Sequence, residues 1–123
     1  MPRELTSHKV NGCNEALKVL VLDEPGKGGA SHHYRLEWAH NGPACNAVDI
    51  NFQNGPIPEV GTNGVTHEAL LAIIIDRLEG FQKGQFANAY NAMARDMCRG
   101  ALDVLQQRTQ ERLARGVEGT HNL

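Results

Sequence analysis

The sequence predicts an α+β fold, in which a small antiparallel sheet of three or four strands precedes two α-helices, the last of them long. Two observations lead to this prediction. Between residues 33 and 53, apolar and polar side chains alternate with a period of two, as in half-buried strands. After residue 65 the apolar spacing lengthens to three and four residues, as in helices. At 123 residues, the chain is expected to form one domain, residues 1–123.

The strands are predicted within about residues 1–54. The first lies in ALKVLVLDEP (16–25), an apolar run rich in β-branched residues that ends at a proline. HYRLEWA (33–39) and AVDINFQ (47–53) are the two alternating strands. The connecting segments PGKGGAS, HNGPAC and NGPIPEVGTNG are rich in turn-forming residues. Short turns between consecutive strands favour an antiparallel meander.

The first helix is predicted over residues 66–81, after a loop at 55–65. Thr66 is a favourable N-cap, and Glu68 in the first turn complements the positive end of the helix dipole. A break at Lys83-Gly84 is expected to end this helix and to lead into the next.

The second helix is predicted over about residues 86–115, with a tail at 116–123. Its apolar stripe consists of Met93, Met97, Ala101 and Leu105. Gly116 is expected to end the helix in a left-handed conformation. A helix of about 30 residues is about 45 Å long. Because one small sheet cannot cover that length, part of the helix is expected to pack against another copy of the chain.

The charge distribution excludes some classes of partner. A formal net charge of −2 argues against a protein that coats long nucleic acid. Residues 85–123 carry five arginines and four acidic residues, whereas residues 1–84 carry seven basic and ten acidic residues. Any anion site is therefore expected to be local. The longest apolar run, ALLAIII (69–75), is too short for a membrane span, which needs about 20 residues.

Cysteine usage and the N-terminus favour a cytosolic protein. Cys13, Cys45 and Cys98 are an odd number without CxxC spacing, and the N-terminus MPRELTSHK does not resemble a signal peptide. The glycine loop EPGKGGAS lacks the Ser or Thr after Lys27 and the following helix of a phosphate-binding loop, so a hairpin loop is favoured.

No metal, cofactor or enzymatic activity is expected. The six histidines do not show the paired spacing of zinc ligands with the cysteines. They are His8, His32, His33, His40, His67 and His121. No Ser, Cys or carboxylate lies in a nucleophile or acid–base motif.

Cations gather on one face of the predicted second helix. At 100° per residue, Arg108, Arg112 and Arg115 lie within about 60° of one another. A further polar face consists of Asn88, Asn91, Arg95 and Arg99. Two interpretations stay open: the arginines complement the helix dipole, or their guanidinium groups bind phosphate and stack on a base.

Aromatic residues lie at the opposite end of the same helix. They are Phe81, Phe86 and Tyr90. If two copies paired their long helices antiparallel, the aromatics of one copy would meet the arginines of the other. Aromatic faces, amides and arginines suit an adenine that carries phosphates.

Four ordered motifs resemble a phage-encoded family, the first class of Thoeris anti-defence proteins. They are FQNGPI (52–57), VGTNGVTHEALL (60–71), DRLEGFQKGQFA (76–87) and QQRTQERLARGVEGTH (106–121). The resemblance covers about residues 47–121. It implies a sponge, a protein that binds a bacterial immune signal and sequesters it without degradation, acting in the cytoplasm of the infected bacterial host.

The resemblance also implies a ligand, an assembly and a set of site residues. The ligand is a cyclic ADP-ribose isomer made by a TIR-domain enzyme, with CBASS cyclic di- or trinucleotides as further ligands of some relatives. The pockets lie between protomers of a dimer or hexamer. Phe81 and Asn91 fall on the aromatic and amide positions of the pocket, with Arg108 and Arg112 as phosphate or base partners, and Arg115 and Thr120 near the same surface. Phe86, Asn88 and Arg95 complete the candidate set.

Two other functions stay open. An oligomerising phage structural or interaction protein would use the arginine face for salt bridges between subunits, with Glu111, Glu118 or Asp103, and would bind no small molecule. An enzyme of the anti-defence class would instead hydrolyse the same signal.

Overall fold

The computed structural model describes residues 2–39 and 45–123. Over these residues the elements follow in the order β1 (Arg3–Leu5), α1 (Gly12–Glu15), β2 (Lys18–Val21), β3 (His33–Ala39), β4 (Cys45–Asn51), α2 (Ile57–Val60), α3 (His67–Gln82) and α4 (Ala89–Arg115). A sheet followed by helices, the last of them long, confirms the predicted α+β class. The chain divides into two compact units, Met1–Asn54 and Gly55–Leu123. A single domain stays a prediction.

The first unit is a four-stranded sheet. The strand order is β1-β2-β3-β4 and every neighbouring pair is antiparallel, which confirms the predicted meander. Strand β3 has the predicted bounds, whereas β4 begins two residues before the predicted strand. The fourth strand is β1, which pairs with β2. The predicted turn at HNGPAC falls largely on residues 40–44, outside the described residues.

The sheet buries its apolar residues unevenly. Val21 is almost fully buried, and the rings of Tyr34 and Phe52 meet edge to face with centroids 5.6 Å apart. Val48 of β4 is nearly half exposed, although the alternating pattern predicts an inward side chain. An edge strand has a neighbour on one side only, so its side chains receive less cover than those of an inner strand.

The glycine loop is a hairpin connection between β2 and β3, as predicted. It is closed by hydrogen bonds from Gly26 N to the Ala30 carbonyl (2.8 Å) and from Gly29 N to the Gly26 carbonyl (3.0 Å). Gly29 has a φ of 91°, which glycine adopts at no steric cost. The loop is therefore a turn rather than a phosphate-binding loop.

The second unit is a helical hairpin with a short helix before it and a tail after it. Thr66 caps α3 as predicted, since its hydroxyl accepts from Ala69 N at 3.1 Å. Helices α3 and α4 pack on each other, with Ile75 buried and Glu79 paired with Arg99. In the part of the chain that the structure describes, the helices are too short or too polar to cross a membrane.

The second long helix departs from its prediction at its N-terminal end. It begins at Ala89 rather than near residue 86, because Asn88 is the N-cap and has an extended backbone. The α2 turn lies within the predicted 55–65 loop. At the other end, Gly116 is left-handed with φ 74° and ψ 21°, which confirms the predicted glycine cap.

Candidate functional site

Helix α4 carries an exposed apolar face along most of its length. Tyr90 is 84% exposed and Met97 is 71% exposed, and Met93 and Val104 are also exposed. At 100° per residue these four side chains lie within about 60° of one another. Helix α4 has 27 residues and α3 has 16, so α3 is about 16 Å too short to cover α4 from end to end. The longest element of the second unit thus presents an uncovered apolar surface.

Arg108 lies in line with this apolar face. It follows Tyr90 by 18 residues, which is five full turns, so the two side chains leave α4 on the same side. Among the described residues, Arg108 is the one arginine of α4 for which the structure shows no hydrogen-bond or ion-pair partner. A guanidinium without a carboxylate partner keeps its donors free for a phosphate.

Two other candidate arginines of α4 are paired with acidic neighbours. The Arg115 Nε donates to Glu111 at 2.7 Å, one turn earlier on the same helix, and both side chains are exposed. The Arg95 Nε donates to Asp96 at 3.1 Å. Ion pairs of this kind on the surface contribute about 0 to 1 kcal/mol to stability. An anion that binds the guanidinium more strongly can therefore displace the carboxylate.

Arg112 differs from the other arginines because it is buried, with 7% of the residue exposed. Its guanidinium donates to the Glu118 carboxylate and to three carbonyls of the tail. Thr120 belongs to the same tail, and its hydroxyl donates to the Val117 carbonyl and accepts from Asn122 N. The structure therefore joins these two candidates to each other through the tail, and four of the five guanidinium donors of Arg112 are already used.

The aromatic candidates lie at the loop end of the helical hairpin. Phe81 is part of the last turn of α3, whereas Phe86 lies in the connection and is well exposed. The Arg77 guanidinium lies over the Phe81 ring, with its carbon 5.6 Å from the ring centroid. The ring is 40% exposed, so part of it is accessible.

The two asparagine candidates have different local roles. The Asn88 side chain accepts from Asn91 N at 2.8 Å and donates to the Phe86 carbonyl at 3.0 Å, so the N-cap uses both its oxygen and its nitrogen. Asn91 is half-buried in the first turn of α4. Within the described ranges, the structure shows no hydrogen bond to its side-chain amide, which leaves that amide available to a ligand.

The candidate residues form two groups at opposite ends of α4. Phe81, Phe86, Asn88 and Asn91 belong to the loop end, and Arg108, Arg112, Arg115 and Thr120 belong to the C-terminal end. Asn91 and Arg108 are 17 residues apart on a continuous helix, which corresponds to about 25 Å. One small nucleotide cannot contact both groups within a single protomer.

The sequence interpretation missed one residue of the site region and one pairing within the chain. Arg77 precedes Phe81 by four residues, the spacing at which helical side chains meet, so the pair could have been found from the pattern. Glu118, the ionic partner of Arg112, lies beyond the end of α4, and no helical spacing connects the two residues.

A separate charged cluster lies on the sheet of the first unit. Asp49 of β4 accepts from Arg35 at 2.6 and 3.2 Å and contacts the His33 ring at 3.4 Å. The Arg35 hydrogen bonds and then that of His33 lower the pKa of Asp49. The pKa of Asp23 is also lowered, by hydrogen bonds from the backbone N–H groups of His33 and His32. Each carboxylate of this cluster thus has hydrogen-bond partners within the first unit.

The structure does not assemble a metal centre from the residues that it describes. Over residues 2–39 and 45–123, no three His, Cys, Asp or Glu side chains gather closely enough to hold an ion. His40, one of the six histidines of the chain, lies outside the described residues.

Comparisons with known proteins point to the second unit. The family model for the Acb2/Tad1 hairpin domain matches residues 46–109. The protein named Thoeris anti-defense 1, from Bacillus phage SBSphiJ7, is 51% identical over 72 residues. That alignment covers 58% of this chain and 51% of the relative, so the chain spans about half the length of the relative that it matches. Both matches confirm the resemblance stated from the sequence.

Proposed function

Because the chain belongs to the Acb2/Tad1 hairpin family, we propose that it is a phage anti-defence protein that binds a nucleotide immune signal and sequesters it without degradation. The proposed signal is a cyclic ADP-ribose isomer made by a TIR-domain enzyme of a Thoeris system. Cyclic di- or trinucleotides of CBASS systems are further candidate ligands. The proposed place of action is the cytoplasm of the infected host.

One observation carries the proposal: the exposed apolar face of α4 continues directly into the unpaired Arg108. An apolar face of this size on a helix favours association with another apolar surface. A second copy of the chain offers a surface of the same shape and character. Pairing two α4 helices antiparallel, centred near position 99, would bring Tyr90 of one copy opposite Arg108 of the other.

Such pairing would join the two groups of candidate residues into one pocket. The aromatic and amide side chains of Phe81 and Asn91 would come from one copy, and Arg108 would come from the other. The ring would stack on adenine, with a contribution of about 1 to 3 kcal/mol per base. A hydrogen bond from the guanidinium to phosphate would contribute about 1.5 to 3 kcal/mol. Phe86, Arg95 and Arg115 are proposed to border the pocket.

A sponge must bind tightly, and turnover is of no use to it. Nanomolar affinity corresponds to about −12 kcal/mol. Placing the ligand between two copies would exclude water and strengthen the phosphate contacts. The proposal therefore requires a homo-oligomer, a dimer or a hexamer, as the binding form.

The capture experiment separates the proposed function from its alternatives. Purified protein is mixed with a cyclic ADP-ribose isomer from a TIR enzyme, freed of unbound compound and then heat-denatured. Recovery of intact compound supports sequestration. Recovery of fragments would indicate an enzyme. An oligomer that captures no compound would indicate a structural protein, in which the exposed apolar face serves assembly alone.

The Arg108→Gln variant tests the role of the unpaired arginine. We expect affinity for the isomer to fall at least about tenfold, because one charge-assisted contact contributes about 1.5 to 3 kcal/mol. Arg99→Gln is the matched control, since Arg99 lies on the opposite side of α4 and pairs with Glu79. Isothermal calorimetry gives the affinities and light scattering gives the assembly state. Equal affinity of the Arg108 variant and the wild type would refute the assignment.

A further inference from the structure

The tail after α4 forms a closed loop around the Arg112 guanidinium. The Nε donates to Glu118 at 3.1 Å and Nη1 donates to the Asn122 carbonyl at 2.7 Å. Nη2 donates to the carbonyls of Val117 (2.8 Å) and Thr120 (3.2 Å). A buried cation needs such partners, because an unpaired charge out of water is costly.

The backbone of Arg112 holds the same segment. Its carbonyl accepts from Val117 N at 3.0 Å, while Gly116 N donates to the Leu113 carbonyl at 3.1 Å. These two bonds and the left-handed Gly116 form a Schellman motif, in which Arg112 is the position that accepts the outer bond. Both the main chain and the side chain of Arg112 therefore fix where the tail leaves the helix.

The tail is also bound to the segment before α3. The Gly119 carbonyl accepts from Ile57 N at 2.8 Å. Gly119 has a φ of 78°, and a Cβ at this position would lie 3.2 Å from Ile57 Cγ1. The loop around Arg112 thus joins the end of α4 to the α2 turn.

From these contacts we infer that Arg112, one turn beyond Arg108, is a positioning residue, which holds residues 117–122 as a fixed loop at the end of α4 and serves the ligand site through that loop rather than by contact with the ligand. This inference rests on the proposed function, since it assigns how one end of the proposed pocket is held. Direct contact with a phosphate would leave Arg112 a single free N–H or require the tail carbonyls to be released.

Glu118→Gln separates the two roles because they predict opposite signs. If Arg112 contacts the anion directly, replacing the competing carboxylate with a neutral amide, a weaker acceptor, would make its Nε easier to release to the anion and would tighten binding. If Arg112 acts through the tail, loss of the ion pair loosens the loop and weakens binding. We expect affinity for the cyclic ADP-ribose isomer to fall about fivefold or more, from the loss of one charged hydrogen bond.

Glu111→Gln is the matched control. Glu111 pairs with Arg115 on the exposed surface near the same end of α4, so this variant removes the same charge without contact with the tail. A change in affinity common to both variants measures the effect of removing one negative charge. The difference in affinity between the two variants measures the contribution of the tail. Glu118→Gln keeps the three carbonyl partners of Arg112, so it is expected to fold where Arg112→Met would not.

Amide hydrogen exchange of the ligand-free protein gives the second readout. The amides of Val117, Thr120 and Asn122 are hydrogen-bonded within the loop. In Glu118→Gln we expect them to exchange about tenfold faster, and in Glu111→Gln to exchange as in the wild type. Unchanged exchange in Glu118→Gln, or binding that is unchanged or tighter relative to the control, would overturn the inference. A wild type that captures no isomer would overturn the proposed function, while the exchange data would still decide whether Arg112 holds the tail.

Discussion

The charged cluster of the sheet and the exposed face of α4 differ in how their charges are partnered. In the sheet, Arg35, Asp49 and His33 satisfy one another on one surface, and Asp23 accepts from two backbone N–H groups. In the helical unit, Arg108 has no partner among the described residues and lies in line with an exposed apolar face. The charged cluster on the sheet is closed on itself, whereas α4 presents an arginine and an apolar face for which the described part of the chain provides no partner.

This difference locates the proposed function in the second unit. The family match covers residues 46–109, of which all but the first nine belong to the unit that begins at Gly55. An exposed apolar face of this kind marks an interaction site, and an arginine with free donors in line with it can bind an anion, so their presence on one helix face suggests an occupant. Variants of that face and of the sheet distinguish which of the two determines binding.

The largest effect is expected from a charge placed within the apolar face of α4. Met97→Glu would put a carboxylate into the proposed contact between copies, where an unpaired charge costs several kcal/mol. We expect loss of the assembly and a fall of capture by more than about 100-fold, equivalent to about 3 kcal/mol. Analytical ultracentrifugation measures the assembly state, and the capture experiment measures binding of the isomer.

Gln106→Glu is the control for this variant. Gln106 follows Tyr90 by 16 residues, which places it about 160° round the helix, on the far side from the apolar face. It adds the same charge to the same helix. A Met97→Glu protein that assembles and captures like the control would show that the apolar face is not the contact between copies.

The next effect concerns the aromatic end of the proposed pocket. Phe81→Leu keeps an apolar side chain but removes the ring on which adenine would stack and on which Arg77 lies. We expect affinity to fall about tenfold to 100-fold, given about 1 to 3 kcal/mol per stacked base. Tyr34→Leu in the sheet, which also removes a ring, is the control. Equal losses in both variants would place the effect in general stability rather than in the pocket.

A smaller effect is expected on stability from the tail. Gly119→Ala forces a Cβ into a left-handed conformation and against Ile57. For a residue with a Cβ, the left-handed backbone conformation alone costs about 1 to 2 kcal/mol. Thermal unfolding should therefore occur at a lower temperature, with the amides of the tail exchanging faster. Gly28→Ala is the control, because a Cβ there meets open space; an equal shift in both would count against a specific tail contact.

The smallest effect is expected on the pH dependence of the stability of the sheet. The pKa values of Asp23 and Asp49 are lowered in the fold, so their ionised forms stabilise it above the unfolded-state pKa of about 3.9. That stabilisation is lost as the pH falls from there through the folded-state pKa values. Asp49→Asn should flatten this acid dependence in circular dichroism melts. A variant with the same acid dependence as the wild type would contradict the assignment, and capture near pH 7 should be unaffected.

Local signals explain how much of the fold the sequence predicted. Alternation in residues 33–39 fixed the bounds of β3, and Thr66 and Gly116 marked helix ends, because capping depends on neighbouring residues alone. The three-residue strand β1 carries no pattern of its own and exists through its pairing with β2. The pattern places Asn88 on a helix face, whereas in the structure it is the cap, because the helix begins three residues later than the pattern predicts.

In the candidate site, too, local patterns predicted some features and missed others. The helical period placed Arg108, Arg112 and Arg115 on one side of α4, and the resemblance supplied the ligand class. Periodicity gives the direction in which a side chain leaves the helix, but it does not give the side chain's partner. The tertiary structure alone decided that Arg112 is buried by a tail five to ten residues further on, that Arg99 pairs with Glu79 across the hairpin, and that Arg108 has no such partner among the described residues. Those contacts depend on where the chain turns back, which no local spacing encodes.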